Sequence, residues 1–248
     1  MSTNMKHIEF QSASYDQWQE EAVKALKGKP FESLFTKTIE NITLEPLYTK
    51  ESLIEKLGEQ LEKQVSTIRT LSQSATFAVA QQIIGDTEES FFANLEESLT
   101  RGNEVITISS PQAFEWTEAA IAQLATYLSE NSFKIVVQST DDAVLAVFDK
   151  IDEAKREIVN GYIVAPEAFE LTSFPNVRTV CADTIAYHNN GANAVQELAI
   201  ALALASKQAQ TVQDFKAFEQ KFFVQFAADT QFFAEVAKIR AFKVLWKA

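Results

Sequence analysis

The chain is short of the residues that punctuate a backbone. Six glycines and five prolines in 248 residues are roughly a third to a half of ordinary usage, so few tight turns and many helices are expected. A single cysteine, Cys181, excludes an intrachain disulfide framework and cannot build a zinc site by itself. Flanked by Val180 and Ala182, it is expected to be a buried small hydrophobe. Positive charge is also scarce: 22 Lys and Arg stand against 34 Asp and Glu, a net charge of −12. That balance disfavours nucleic acid and anionic membranes as partners, since both call for basic patches. The opening residues MSTNMKHIEF carry no apolar signal core, and no uncharged apolar run reaches 18 residues. A cytoplasmic protein is expected on those grounds. The dinucleotide fingerprint G-x-G-x-x-G, the phosphate loop G-x-x-x-x-G-K, the nucleophile elbow G-x-S-x-G and the zinc motif H-E-x-x-H are all missing, and the reactions they support are not expected.

Apolar residues make up 46% of the chain, enough for one sizeable core or two small ones. Residues 1–60 read as an arm. YDQWQEEAVKALKG is an amphipathic helix with Trp18, Ala22, Ala25 and Leu26 on one face, stopped by Gly28 and Pro30. A short strand, a turn at Pro46 and a polar helix capped near Thr49 follow. This region has too little apolar material for its own core.

From residue 61 to 248 strands and helices alternate. Strands are expected at 65–70, 104–109, 133–139, 162–166, 177–184 and 221–228. Helices are expected within 75–102, from Thr117 to Asn131, over 140–161, over 192–209 and from Gln231 to Trp246. Alternation of this kind implies right-handed crossovers and a parallel sheet. The apolar strands suit a sheet covered on both faces. The FF pairs at 91–92, 222–223 and 232–233 are expected in the core. Both an open doubly wound sheet and an α/β, TIM-like barrel fit the pattern, and a barrel would need eight strands where six are counted.

Four stretches carry a resemblance: LYT (47–49), TIR (67–69), ADTIAYHNNGANAVQELAIALA (182–203) and FAADTQFFAEVAKIRAFKVLW (226–246). Together they resemble the methylmalonyl-CoA mutase family, and its small, non-catalytic chain more than its catalytic one. The last two, in order and suitably separated, are the specific ones. The resemblance implies an N-terminal arm that wraps a partner subunit. It also implies a (β/α) barrel that admits acyl-CoA along its axis, here an apparently incomplete one of about six βα units. A separate domain, for which this chain shows no counterpart, carries adenosylcobalamin in the holoenzyme, which interconverts methylmalonyl-CoA and succinyl-CoA.

The same resemblance assigns candidate residues. His188 and Tyr187 match a YH pair after strand five, where a histidine is implied to donate to the thioester carbonyl, a sound role for a neutral imidazole. Arg69 matches an arginine at the end of strand one. Arg69, His188 and Gln225 are candidate substrate contacts; Trp18, Tyr48 and Trp246 are candidate partner contacts. Each has a plainer reading: a structural histidine, a rim ion pair, a packed aromatic. Cobalt ligation in this family takes D-x-H-x-x-G. Neither His7 nor His188 fits, because Ala186 stands where the aspartate should be. No cofactor or metal is therefore expected on this chain alone, and catalysis by it alone is not expected. Asn189, Asn190 and Gly191 suit a turn, and Asn193 a helix cap, with Ala194, Leu198, Ala201, Leu202 and Ala205 facing inward.

Six strands of eight leave two open edges. The chain is thus expected to be a piece of a longer subunit, or to complete its fold through a catalytic mutase chain or self-association. A degenerate acyl-CoA-binding isomerase and an unrelated α/β binding domain are the alternatives.

Overall fold

The computed structural model describes residues 12–70, 77–167, 169–210, 212 and 214–247; His7 lies outside them. The chain divides into two compact units, one ending at Leu71 and one running from Ser72 to Trp246.

The first unit opens with α1 (Tyr15–Ala25), whose start is fixed by a capping box between Ser14 and Gln17. Gly28, at φ +93°, ends the turn that follows. A two-residue hairpin pairs β1 (Thr36–Lys37) with β2 (Thr43–Leu44). Thr49 caps α2 (Lys50–Leu57), and α3 (Gln60–Thr70) follows Gly58. Rings of Tyr15, Trp18, Phe31 and Phe35 meet edge to edge or tilted. No described residue of this unit is fully buried, as expected for a segment without a core.

The strand expected at 65–70 is helix. Leu61, Val65 and Ile68 recur at spacings of four and three, and all three are half-buried, so the helical period governs over the β-branched run. Arg69 accordingly sits exposed on α3, not at the end of a barrel strand. The expected helix within 75–102 is instead a strand, β3 (Ala80–Gln82), then a helix, α4 (Glu88–Thr100). The signal overlooked was the cap: Thr87 and Ser90 form a capping box that restarts the chain.

The second unit continues with β4 (Val105–Ser109), α5 (Glu118–Glu130), β5 (Ser132–Val136), α6 (Val147–Lys150) and β6 (Gly161–Val164). Thr117 and Asn131 bound α5 as expected. The single helix expected over 140–161 is broken into short turns. Asp142 and Asp152 each accept a backbone N–H two residues on and restart the chain. β7 (Val177–Arg178) and β8 (Val180–Asp183) are consecutive; α7 (Ile185–Asn189), not expected from the sequence, follows, and the expected turn lies at Asn190 and Gly191. Then come α8 (Ala194–Ala209), as expected, and α9 (Phe215–Lys221), which the sequence did not suggest, followed by β9 (Phe222–Gln225) and α10 (Phe232–Lys247).

Every pairing in this unit is parallel. The order β3-β4-β5-β6-β7 follows the sequence, and β8 pairs with β9. Residues 177–183 join the two sheets: the first half pairs with β6 and the second with β9, while Thr179 N–H donates to Lys221 C=O between them. The order never reverses, which excludes the doubly wound alternative. The architecture is α/β, an incomplete barrel-like arrangement of six parallel strand positions, in which β6 leads to β7 with no helix among the described residues between them.

Alternation along the strands sorts two faces. Ile106, Ile108, Phe133, Ile135 and Ile163 point to the helices and pack with Phe91, Leu95, Leu124 and Leu128. Ala182 and Phe222 form a second cluster with Ala205 and Phe218. Lys134, Tyr162, Cys181, Asp183, Phe223 and Gln225 occupy the alternate positions. Of the FF pairs, Phe91, Phe92 and Phe222 are core, but Phe232 and Phe233 are 69% and 85% exposed.

Gly161 shows how tightly the sheet is packed. It stands directly opposite Phe133 across the β5–β6 ladder, and a Cβ there would lie 2.4 Å from the Phe133 ring. Phe133 is fully buried and cannot swing aside. Gly161→Ala is expected to cost about 1–3 kcal/mol by overpacking, measured as a lower denaturant midpoint with an unchanged slope.

Candidate functional site

The most constrained polar cluster of the second unit lies just beyond the C-terminal ends of β8 and β9, the end at which barrel chemistry is found. It is built from two segments. The first supplies Thr184, one residue past β8, His188 on α7 and Glu197 on α8. The second supplies the backbone of Ala227, just past β9, together with Glu235 and Lys238 on α10.

Glu197 and Lys238 are both buried, at 0% and 3% exposure. The Lys238 ammonium has three donors and all three are used. It lies 2.8 Å from Glu197 Oε2, 2.7 Å from Glu235 Oε2 and 2.8 Å from the Ala227 carbonyl. Its charge also sits 5.7 Å from the centre of the Phe226 ring. The other carboxylate oxygen, Glu197 Oε1, accepts from the Thr184 hydroxyl at 2.6 Å and the Ala227 N–H at 3.0 Å. The Thr184 hydroxyl is also 2.8 Å from the Gln225 carbonyl; with one proton, it serves one acceptor at a time.

Burial by itself would raise the Glu197 carboxyl. The hydrogen bonds from Lys238, Thr184 and Ala227 outweigh it and hold the group below the usual carboxylate range. Burial likewise opposes the Lys238 charge, but its contacts with Glu197 and Glu235 raise it above the usual 10.5. The pair is therefore charged across the neutral range.

His188 stands beside this pair. Its Nδ1 is 3.6 Å from Glu197 Oε2 and its side chain is 25% exposed, a proximity too long for a hydrogen bond. Asn193 caps α8 through a capping box with Gln196, as expected, and holds the turn between the histidine and the glutamate. Tyr187 is exposed. On the strands' other face, Gln225 accepts from Lys134 Nζ at 3.1 Å and donates to Asp183 Oδ1 at 3.1 Å. Cys181 lies on that face too; burial first, and Asp183 second, push its thiol up to about 12, so it stays protonated and unreactive.

The candidate residues thus separate. His188, Tyr187 and Gln225 gather at the ends of β8 and β9. Arg69, Trp18 and Tyr48 belong to the first unit, where Tyr48 is exposed, accepts from Glu45 N–H and lies under the Lys56 ammonium. Trp246 stacks on Phe222 with ring planes 2° apart. Glu197, Lys238 and Thr184 were missed by sequence reasoning. The signal was a charge on each of two apolar stripes: Glu197 three residues after Ala194 and four before Ala201, Lys238 four after Ala234 and three before Ala241. Opposite charges on two such stripes point to each other. His188 does not carry the D-x-H-x-x-G pattern, and among the described residues no cluster of metal-ligating side chains is present. The residues here do not fit a cobalt site of the family's kind, and no step is derived through one.

Removing one partner of a buried pair strands the other. Glu197→Gln or Lys238→Met is each expected to cost about 3–5 kcal/mol, and the double variant markedly less than the sum, by denaturant titration. The pH profile follows from the same shifts. Glu197, lowered in the fold, contributes stability above its unfolded value that is lost as pH falls through its folded one. Lys238, raised in the fold, contributes below its unfolded value of 10.5 and loses it as pH climbs through the folded one. Melting temperature should therefore plateau at neutral pH and drop on both sides. In the double variant Glu197→Gln/Lys238→Met both drops should be shallower.

Comparison with known proteins bears on this cluster. Residues 157–248 match the family model described as methylmalonyl-CoA mutase. The methylmalonyl-CoA mutase small subunit of Streptomyces virginiae is 35% identical over 77 residues, 29% of this chain and 12% of that subunit. The chain thus matches only a small part of that relative's length. All of the cluster lies within 157–248, and over that stretch the chain resembles the methylmalonyl-CoA mutase family and, within it, a small subunit.

Proposed function

We propose that this chain serves as a non-catalytic small-subunit element of an adenosylcobalamin-dependent mutase that interconverts methylmalonyl-CoA and succinyl-CoA, supporting a separate catalytic chain. The observation that carries the reading is the internal engagement of both oxygens of Glu197. Oε2 takes the Lys238 ammonium, and Oε1 takes the Ala227 N–H and, when its proton turns that way, the Thr184 hydroxyl. A carboxylate so bound is stabilised in its ionised form, which makes it a weaker proton acceptor. The histidine beside it therefore has a weakly basic neighbour, which disfavours a proton relay. The cluster locks α8, α10 and the ends of β8 and β9 together, which is the work of a scaffold.

The first unit supports the partner half of the proposal. Val23, Ile39, Ile42, Leu44, Leu53 and Ile54 are all exposed, and nothing within the described residues of that unit buries a side chain completely. Apolar side chains distributed in this way suit a segment that becomes ordered against another chain. The arm at 1–60, with Trp18 and Tyr48, is assigned to that contact, and the barrel portion at 61–248 to the body it serves.

The first measurement is isolation from native cells under gentle conditions. Recovery near one to one with a large cobalamin-binding mutase chain is expected, and recovery alone counts against the proposal. The alternative of an acyl-CoA isomerase in its own right is separated by His188→Ala in the recovered complex. A scaffold role predicts turnover within about twofold of the parent. A histidine that stabilises the oxyanion predicts a loss of about a hundredfold or more.

A further inference from the structure

The other end of the same strands holds a second arrangement, independent of the mutase reading. Arg178 is the second residue of β7 and Lys221 immediately precedes β9, so both lie near the N-terminal ends of the strand segments 177–183 and 222–225. The two cations are near neighbours: burial first and Arg178 second lower the Lys221 ammonium below its usual value. Lys221 spends its three donors on the carbonyls of Leu171, Phe174 and Val177. Arg178 Nη1 donates to the carbonyls of Glu219 and Phe222, at 3.2 and 2.5 Å. Among the described residues neither cation forms an ion pair with a carboxylate. In a chain of net charge −12, two adjacent half-buried cations without an acidic partner stand out against the general field.

The geometry of Arg178 specifies what is missing. A guanidinium has five N–H donors. Nη1 accounts for two, and these are held by backbone. The edge formed by Nε and Nη2 keeps three, in the arrangement that takes a carboxylate through two parallel bonds. Arg178 lines a groove of about 650 Å³ between α8, α9 and α10. Leu202 and Ala205 form one wall, and Phe215, Phe218, Phe222 and Trp246 the floor and the other. The volume falls within the range of small-molecule sites, about 300–1,000 Å³, and the pattern of an apolar lining with one placed polar group is theirs. Glu219, also on the groove, is exposed, and its backbone rather than its carboxylate meets Arg178.

We propose that this groove binds an amphipathic monocarboxylate, with the carboxylate on the free edge of Arg178 and the apolar body over Phe218 and Trp246. The charge on Arg178 then acquires the anion that the chain does not supply, and the exposed half of Trp246 is covered.

Decanoate is the probe and decanol the uncharged control, titrated into the full chain by calorimetry with tryptophan fluorescence in parallel. Saturable decanoate binding at least tenfold tighter than decanol is expected. Arg178→Gln should remove that preference while leaving decanol unchanged. Ser206→Trp, at an exposed position on the groove wall, fills the groove without disturbing the core and should abolish binding of both. Equal affinity for acid and alcohol, absence of saturation, or decanoate binding undiminished in Ser206→Trp would each overturn the assignment. Because neither probe involves a partner chain, failure here leaves the subunit reading untouched, and failure of co-isolation leaves the groove untouched.

Discussion

The second unit depends on the ion pair between Glu197 and Lys238. Taking two charges out of water costs several kcal/mol for each ion, and their attraction recovers this only when every remaining donor and acceptor is satisfied. Here that condition holds. Lys238 gives its three protons to three acceptors, and Glu197 receives donors on both oxygens. Such a pair is a weaker source of net stability than hydrophobic residues of equal volume would be. Its effect is to make one arrangement much better than its neighbours. A one-residue slip of α8 or α10 would leave a buried charge without a partner, so the two helices are held in a single register against the strand ends.

That register matters because the sheet does not close on itself among the described residues. β3 pairs only with β4, and β9 only with β8. A strand at a sheet edge has neighbours on one side alone, and its position must be fixed by what covers its face. At the β9 edge the ion pair and the Phe218–Phe222–Trp246 stack do this from opposite ends of the strand. The two devices differ in kind. The polar one has all three Lys238 protons and both Glu197 oxygens engaged within the chain. The aromatic one borders a cation whose better hydrogen-bonding edge is unused.

Much of this was legible in the sequence, and the failures have physical causes. The strands from 105 onward were found because Ile106, Ile108, Phe133, Ile135 and Ile163 are apolar in short runs bounded by polar turns. The caps Thr49, Thr117 and Asn193 were found because a short polar side chain before an apolar period has few other uses. The misplacement of the first barrel strand came from reading VSTIRT by composition. Val65 and Ile68 are β-branched, yet with Leu61 they keep the helical period. The actual strand, Ala80–Gln82, is short and wholly exposed, and so gives no alternation to detect. Phe232 and Phe233 misled in the opposite direction: a paired aromatic looks like core wherever it occurs, and exposure depends on what packs over α10, which is not a local property.

The site was legible in position and illegible in chemistry. His188 drew attention because histidines are rare in this chain, and it does lie beyond the C-terminal end of β8. What decides its role is the state of its neighbour, and that state is set by Lys238, 41 residues beyond Glu197 in sequence. A carboxylate reads the same on a helix wheel whether it is solvated, poised or spent. Only the count of donors around it distinguishes these. For Glu197 the count is three donors, two on Oε1 and one on Oε2. His188 therefore stands beside a carboxylate whose charge is held by a lysine on another helix, a dependence that no local pattern in the sequence displays.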